Sequence, residues 1–299
     1  MLLALVGPTA SGKTEAGIAV AEKLGADVVS VDSMLVYRGM DVGTAKPTPE
    51  QRARVPHHLL DLADPSERFT VARYQGEARR ALRAAPRPLL VGGSGLYFRA
   101  VVDHLVFPPE DQAVRAALEA EADELGAEEL YRRLAESDPV AAARIDPANV
   151  RRIVRALEVT AITGAQFSSF AEAWDRYEPA HVRAAGVRID RGALAARVGR
   201  RVRAMLDAGW LDEVRALVGR GFGSWLTATQ AIGYAEFTRH LEGKLDLDEA
   251  VQVTVKRTKE LARRQSAWFA RDPRIQWFDA EDDGALELVD EVTGYLGAA

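Results

Sequence analysis

The chain has 299 residues, 47% hydrophobic and 28% charged, with a formal net charge of −5 at pH 7 and no cysteine. This is an ordinary globular composition, with room for one domain and an insertion or for two domains. It excludes a disulfide framework and a cysteine-based zinc site. No apolar run is long enough to span a membrane, and the first residues lead straight into a strand, so a cytoplasmic protein without a signal peptide is expected.

Leu2-Leu3-Ala4-Leu5-Val6 is a short, continuous apolar run of the kind that forms a buried parallel strand. Gly7-Pro8-Thr9-Ala10-Ser11-Gly12-Lys13-Thr14 follows, and Glu15 to Leu24 then carries an apolar helical face. Strand, glycine-rich turn and helix give the pattern G-x-x-x-x-G-K-[ST] the context of a P-loop. Backbone N–H groups at the turn and in the first helical turn lack carbonyl partners, and the helix dipole adds positive potential. Gly7 and Gly12 let the backbone wrap phosphate oxygens, Lys13 adds a cation, and the Thr14 hydroxyl can reach a magnesium ion. The motif calls for a diphosphate or triphosphate ligand and does not say which.

Asp27 to Val31 reads as a second buried strand ending at Asp32-Ser33, which delivers Asp32 to the same sheet edge as Lys13. That carboxylate can hold a metal-bound water, cap a turn or act as a general base, and the motif alone leaves the three level. Residues 37–66 read as an irregular loop, long enough to be functional or mobile. His57-His58 within it makes a poor metal site, because adjacent residues do not easily share one ligand geometry.

Thr70 is a candidate cap for a helix to about Ala84, and Pro88 to Val91 a third strand. Gly92-Gly93-Ser94-Gly95 then opens a second strand–turn–helix unit, able to offer N–H groups and the Ser94 hydroxyl to an anion. From Pro108 to about Ala185, alanine, glutamate and arginine dominate at helical spacing. This predicts a helical insertion over 109–185 between core segments 1–108 and 186–299, with a tip near Phe167, Phe170, Trp174 and Tyr177 whose rings serve packing. Val182 to Ile189 suggests a return to the sheet, Arg197 to Leu217 and Leu247 to Phe269 long helices, and Arg274 to Phe278 a late strand. The expected fold is α/β, a P-loop NTPase-like parallel sheet flanked by helices with a mostly helical insertion.

Charge is unevenly spread. Glu110 to Asp138 holds ten acidic residues and three basic ones. Arginines cluster at 144, 151, 152 and 155 and again at 197, 200, 201 and 203, while Lys256, Arg257, Lys259, Arg263 and Arg264 have only Glu260 among them. Such faces suit a shaped polyanion site, although each alone reads first as a solvated helix surface.

Taken together, the P-loop, the block Val31 to Pro47, Pro56 to Asp61, Val91 to Phe98, Arg152 to Val159, Ala231 to Tyr234 and Leu261 to Phe269 resemble the tRNA dimethylallyltransferases. The likeness covers nearly the whole chain in family order. It departs from the common pattern at Leu35 and Arg151, where glutamine is frequent, and at Ser94, where threonine is.

The resemblance implies transfer of a dimethylallyl group from dimethylallyl diphosphate to N6 of the adenosine 3′-adjacent to the anticodon, with no ATP consumed. It assigns the diphosphate to Gly7 through Thr14 (Gly7, Pro8, Thr9, Ala10, Ser11, Gly12, Lys13 and Thr14) and Ser94, Mg²⁺ to Thr14, and catalysis to Asp32, Lys13, Thr9 and Arg197. It assigns the tRNA anticodon stem-loop to Asp32, Ser33, Met34, Leu35, Ser94, Arg115, Arg151, Arg152, Ile153, Val154 and Arg155. A monomer is expected. A P-loop kinase, a prenyltransferase acting on a free adenine nucleotide and an RNA-binding module with a structural nucleotide are the competing readings.

Overall fold

The computed structural model describes residues 1–103, 105–170, 176–177, 181–281 and 284–298. They form β1 (Leu2–Val6), α1 (Lys13–Leu24), β2 (Asp27–Ser30), α2 (Pro49–Arg54), β3 (His57–His58), α3 (Val71–Ala84), β4 (Pro88–Gly92) and α4 (Gly95–Val102). Next come α5 (Gln112–Leu125), α6 (Ala127–Ser137), α7 (Pro139–Arg144) and α8 (Val150–Thr163). The chain closes with β5 (Val182–Ile189), α9 (Arg191–Asp207), α10 (Trp210–Val218), α11 (Tyr234–Leu241), α12 (Leu247–Phe269), β6 (Ile275–Ala280) and α13 (Val289–Gly297).

One unit comprises Met1–Val102 and Glu178–Ala299, the other Asp103–Tyr177. The predicted insertion, 109–185, differs from the second unit at both ends. The larger difference is at its C-terminal end, where Val182–Ile189 pairs with β1 and so belongs to the sheet.

Among the described residues the six strands lie in one sheet, ordered β3-β2-β4-β1-β5-β6, with every pairing parallel. A parallel sheet must be covered on both faces, which is why its strands read as continuous apolar runs. Leu3 and Leu5 of β1 pack with Ile18 and Val20 of α1 on one face, while Ala4 and Val6 join Tyr74 and Phe98 on the other. Val6 is in register with Gly92 and Ser30 with Val91, so the segments after β1, β2 and β4 emerge at one edge. Among the described residues no helix is long and apolar enough to cross a membrane.

Two elements differ from the sequence reading. The helix expected over Arg197 to Leu217 is two, because Gly209 takes a left-handed conformation (φ 94°) that ends α9 and starts α10. The loop expected over 37–66 contains α2 and β3. Thr48 caps α2 by accepting from the Gln51 N–H while the Gln51 side chain reaches back, and Pro49 sits at the first helical position. Glu213 fixes the preceding turn by accepting from the N–H groups of Asp41 (2.7 Å), Val42 (2.7 Å) and Gly43 (3.1 Å). The buried Lys46 ammonium then pairs with Asp41 and Asp61.

In the second unit Leu118, Leu130, Leu134, Ile153, Val154 and Leu157 form a separate core. Asp111 caps α5 and Asn149 caps α8. Phe167 packs against this core, and Trp174 lies outside the described residues.

Candidate active site

The glycine-rich loop between β1 and α1 is shaped by two left-handed residues, Ala10 (φ 64°) and Gly12 (φ 88°). Gly12 takes that conformation without penalty, whereas Ala10 pays roughly 1 kcal/mol for it. The neighbourhood holds Ala10 there: the Arg197 Nε–H donates to its carbonyl at 2.8 Å, and the Ala285 N–H donates to Ser11 O at 2.7 Å. Thr9 is held at both polar groups. Its N–H donates to Gln265 Oε1 (2.7 Å), and its hydroxyl accepts from Arg201 Nη1 (3.1 Å).

Lys13 is 9% exposed, and its ammonium donates to Pro8 O and lies 3.4 Å from Ser11 Oγ. Burial and then the nearby Arg201 charge bring its pKa down from 10.5 to about 7, against the opposing pull of Asp32. Burial likewise lowers Arg201, and Asp32 again acts in the other direction. Lys13, Arg201 and Asp32 therefore share one local field, and burial beside Arg201 disfavours the charged form of Lys13. An anion entering the cleft would favour the charged form of Lys13.

Asp32 stands just past β2. Its Oδ1 accepts the Met34 N–H at 2.8 Å, which fixes the carboxylate, and no hydrogen bond reaches Oδ2 among the described residues. Asp32, Lys13, Thr14 and Leu35 line a cleft of about 1060 Å³, together with Thr9, Ala10, Gly12, Gly92, Gly93, Arg197, Arg200, Arg201 and Gln265. The exposed Thr14 hydroxyl lies at the first turn of α1, where a magnesium ion held against a diphosphate would meet it.

The other expected site residues divide. Gly7, Pro8 and Ser11 shape the loop without lining the cleft. Ser94 also stays off the cleft wall: its N–H donates to Val31 O, and its Oγ faces the Tyr97 N–H at 3.5 Å, at the start of α4. Ser33 and Met34 follow Asp32 but do not line the cleft either. His57 and His58 turn to different partners, the Val55 carbonyl (2.8 Å) and the Asp27 carboxylate (2.9 Å).

In the second unit the residues expected at the RNA differ in their surroundings. Ile153 (0% exposed) and Val154 (2%) are core residues, placed there by the apolar stripe of α8, and their side chains cannot meet RNA. Arg115 and Arg155 both pair with Glu158, whose side chain is fully buried, and Arg155 also donates to the carbonyls of Pro108 (2.8 Å) and Pro109 (3.0 Å). Both arginines therefore serve the fold of this unit through Glu158. Arg151 and Arg152 are exposed on α8.

Sequence reasoning missed Arg201 and Gln265 as individual site residues. Arg201 could have been found, since it lies four residues after Arg197 and so shares its helical face. Gln265 is 256 residues from Thr9, and only the fold brings them together.

A glycine loop between a buried strand and a helix, on an all-parallel sheet with a lysine and a carboxylate at one edge, defines a P-loop NTPase-like α/β protein. The profile described as IPP transferase matches residues 35–272, and that described as isopentenyl transferase matches residues 1–61. The chain belongs to the IPP transferase family. It is 50% identical to a tRNA dimethylallyltransferase of Streptomyces coelicolor, covering 96% of this chain and 93% of that one. Among solved structures, it is similar to the full-length tRNA isopentenylpyrophosphate transferase of Bacillus halodurans (38% identity, TM-score 0.68), with 99% of this chain and 97% of that one covered. It is also similar to a eukaryotic dimethylallyltransferase described as acting on tRNA (25% identity, TM-score 0.79), with 94% of this chain and 74% of that one covered.

Proposed function

We propose that this chain transfers a dimethylallyl group from dimethylallyl diphosphate to N6 of the adenosine 3′-adjacent to the anticodon in tRNA, giving N6-dimethylallyladenosine and diphosphate. The observation that carries the reading is the convergence of Lys13, Arg201 and Asp32 on one cleft at the P-loop, beneath a family match spanning the chain. In this reading the C1–O bond of the donor breaks as the N6–C1 bond forms. Negative charge grows on the departing diphosphate, and Lys13, the loop N–H groups, Arg197 and Arg201 face it. Stabilisation that increases toward the transition state is what raises the rate.

On the other side the exocyclic amine is a weak nucleophile until it loses a proton. Asp32 receives that proton through Oδ2, with Oδ1 kept in place by the Met34 N–H. Thr14 and the diphosphate oxygens fit a magnesium ion, which when bound neutralises leaving-group charge. Thr14, at the first turn of α1, is the side chain that would hold such an ion. The target base has to leave its stack to enter the cleft, and the protein must grip the flanking RNA. The unit Asp103–Tyr177, with Arg151 and Arg152 exposed on α8, is assigned to that grip.

Asp32→Asn tests the chemistry. The change is nearly isosteric, so folding and tRNA affinity should persist while single-turnover transfer falls by about two orders of magnitude or more. Transfer at the wild-type rate would remove Asp32 from the base role.

A further inference from the structure

We infer that Gln265 is a positioning residue for the departing diphosphate, acting through Thr9. The inference rests on the proposed placement of the donor diphosphate at the P-loop. Gln265 projects from α12 into the cleft and accepts the Thr9 N–H at 2.7 Å. With Oε1 committed to that bond, Nε2 faces the second glycine turn, where a Cβ at Gly93 would lie only 2.6 Å from it. One amide thus spans the two turns that follow β1 and β4, and Gly93 leaves room for it.

The Thr9 hydroxyl is meanwhile held by Arg201 from α9. A threonine fixed at its N–H by one helix and at its Oγ1 by another cannot swing, so its hydroxyl keeps one direction relative to the phosphate-binding loop. β-branching restricts χ1 further. Precise placement of such a group is worth large factors in rate, because an error near 1 Å forfeits about a hundredfold. Gln265 is charge-neutral, so it can take the loop N–H without repelling a diphosphate. A carboxylate at the same position would accept the same bond and add a like charge beside the ligand.

Three variants of the full chain test this with tRNA and dimethylallyl diphosphate, each checked for folding by thermal melting. Gln265→Met keeps the side-chain length and removes both polar atoms. It should lower kcat by roughly tenfold or more while the donor KM stays within about threefold, since the Thr9 hydroxyl faces charge that grows in the transition state. Gln265→Glu keeps an acceptor for the Thr9 N–H. Its kcat should recover to within about fivefold of wild type at saturating donor, while the donor KM rises by about tenfold from the added charge.

Placing Gln265→Met in a Thr9→Val background isolates the route, and the further loss of kcat should shrink to less than about threefold. The full loss persisting in that background, or wild-type kcat in Gln265→Met beside an impaired Thr9→Val, overturns the inference and leaves the proposed function standing. Wild-type kcat in Thr9→Val itself removes Thr9 from the leaving-group side, and the role of Gln265 falls with it.

Discussion

Binding of diphosphate to this cleft should be accompanied by proton uptake at Lys13. In the free protein burial and Arg201 hold its pKa at about 7 rather than 10.5. At pH 8 about nine-tenths of Lys13 is therefore neutral, and at pH 6 only about one-tenth. Diphosphate beside the amine favours the charged form and drives the pKa back up. Binding should then take up about 0.9 proton at pH 8 and about 0.1 at pH 6.

Affinity must follow. It should weaken about fivefold from pH 7 to 8 and approach a tenfold loss per further unit until the pKa of the bound form is reached. The same shift affects the free protein in the opposite sense. Between about pH 7 and 10.5 the unfolded chain binds the proton that the folded chain has released, so this group makes stability rise with pH across that window. The assay is isothermal titration of inorganic diphosphate with magnesium in buffers of different ionisation enthalpy. Diphosphate titrates by itself, so the quantity of interest is the uptake of wild type minus that of Lys13→Met. A difference near zero at pH 8 would refute the reasoning, showing that Lys13 is either already charged in the free protein or remote from the ligand.

Other expectations concern the helical unit. Arg152→Ala should reduce the slope of log affinity for tRNA against log salt by about 0.7 to 0.9 while leaving the unfolding midpoint unchanged; superimposable salt series would make Arg152 plain surface charge. Arg155→Ala should instead lower the unfolding midpoint, because its guanidinium serves Glu158 and two carbonyls. Glu158→Gln should cost about 3 kcal/mol in urea denaturation followed by circular dichroism, since Arg115 and Arg155 lose their buried counter-charge. A loss under about 1 kcal/mol would mean that the two arginines are satisfied by solvent.

Much of the sheet and of the loop was legible because both rest on local chemistry. The apolar runs at β1 and β4 read as buried parallel strands, and the glycine spacing from Gly7 to Lys13 carries its phosphate geometry with it. Thr70 and Leu247 to Phe269 marked a cap and a helix that the structure contains. The break at Gly209 and the Thr48–Gln51 capping box were also written in the sequence, but they were outweighed by helical periodicity on one side and an apparently irregular stretch on the other.

Positions set by tertiary contact were less accessible. Spacing puts Arg152 and Arg155 on one helical face, yet which of them meets solvent depends on Glu158 and the Pro108–Pro109 carbonyls. A partner at i+3 from Arg155 was the available signal. The hold of Gln265 on Thr9 had no local signal. Ser94 is a different case: a hydroxyl on a glycine turn reads as a ligand group, and in the fold it also sits beside the first N–H groups of α4.

The central claim is transfer of a five-carbon group from an allylic diphosphate to adenosine in tRNA. The purified chain should be incubated with tRNA lacking the modification, isotopically labelled dimethylallyl diphosphate and magnesium, without ATP, and the RNA digested to nucleosides for mass spectrometry. The account predicts labelled N6-dimethylallyladenosine from the nucleoside 3′ to the anticodon, one diphosphate released per adenosine modified, and no product from free AMP. Unmodified tRNA alongside hydrolysis of added ATP, or label appearing in AMP in preference to tRNA, would contradict it.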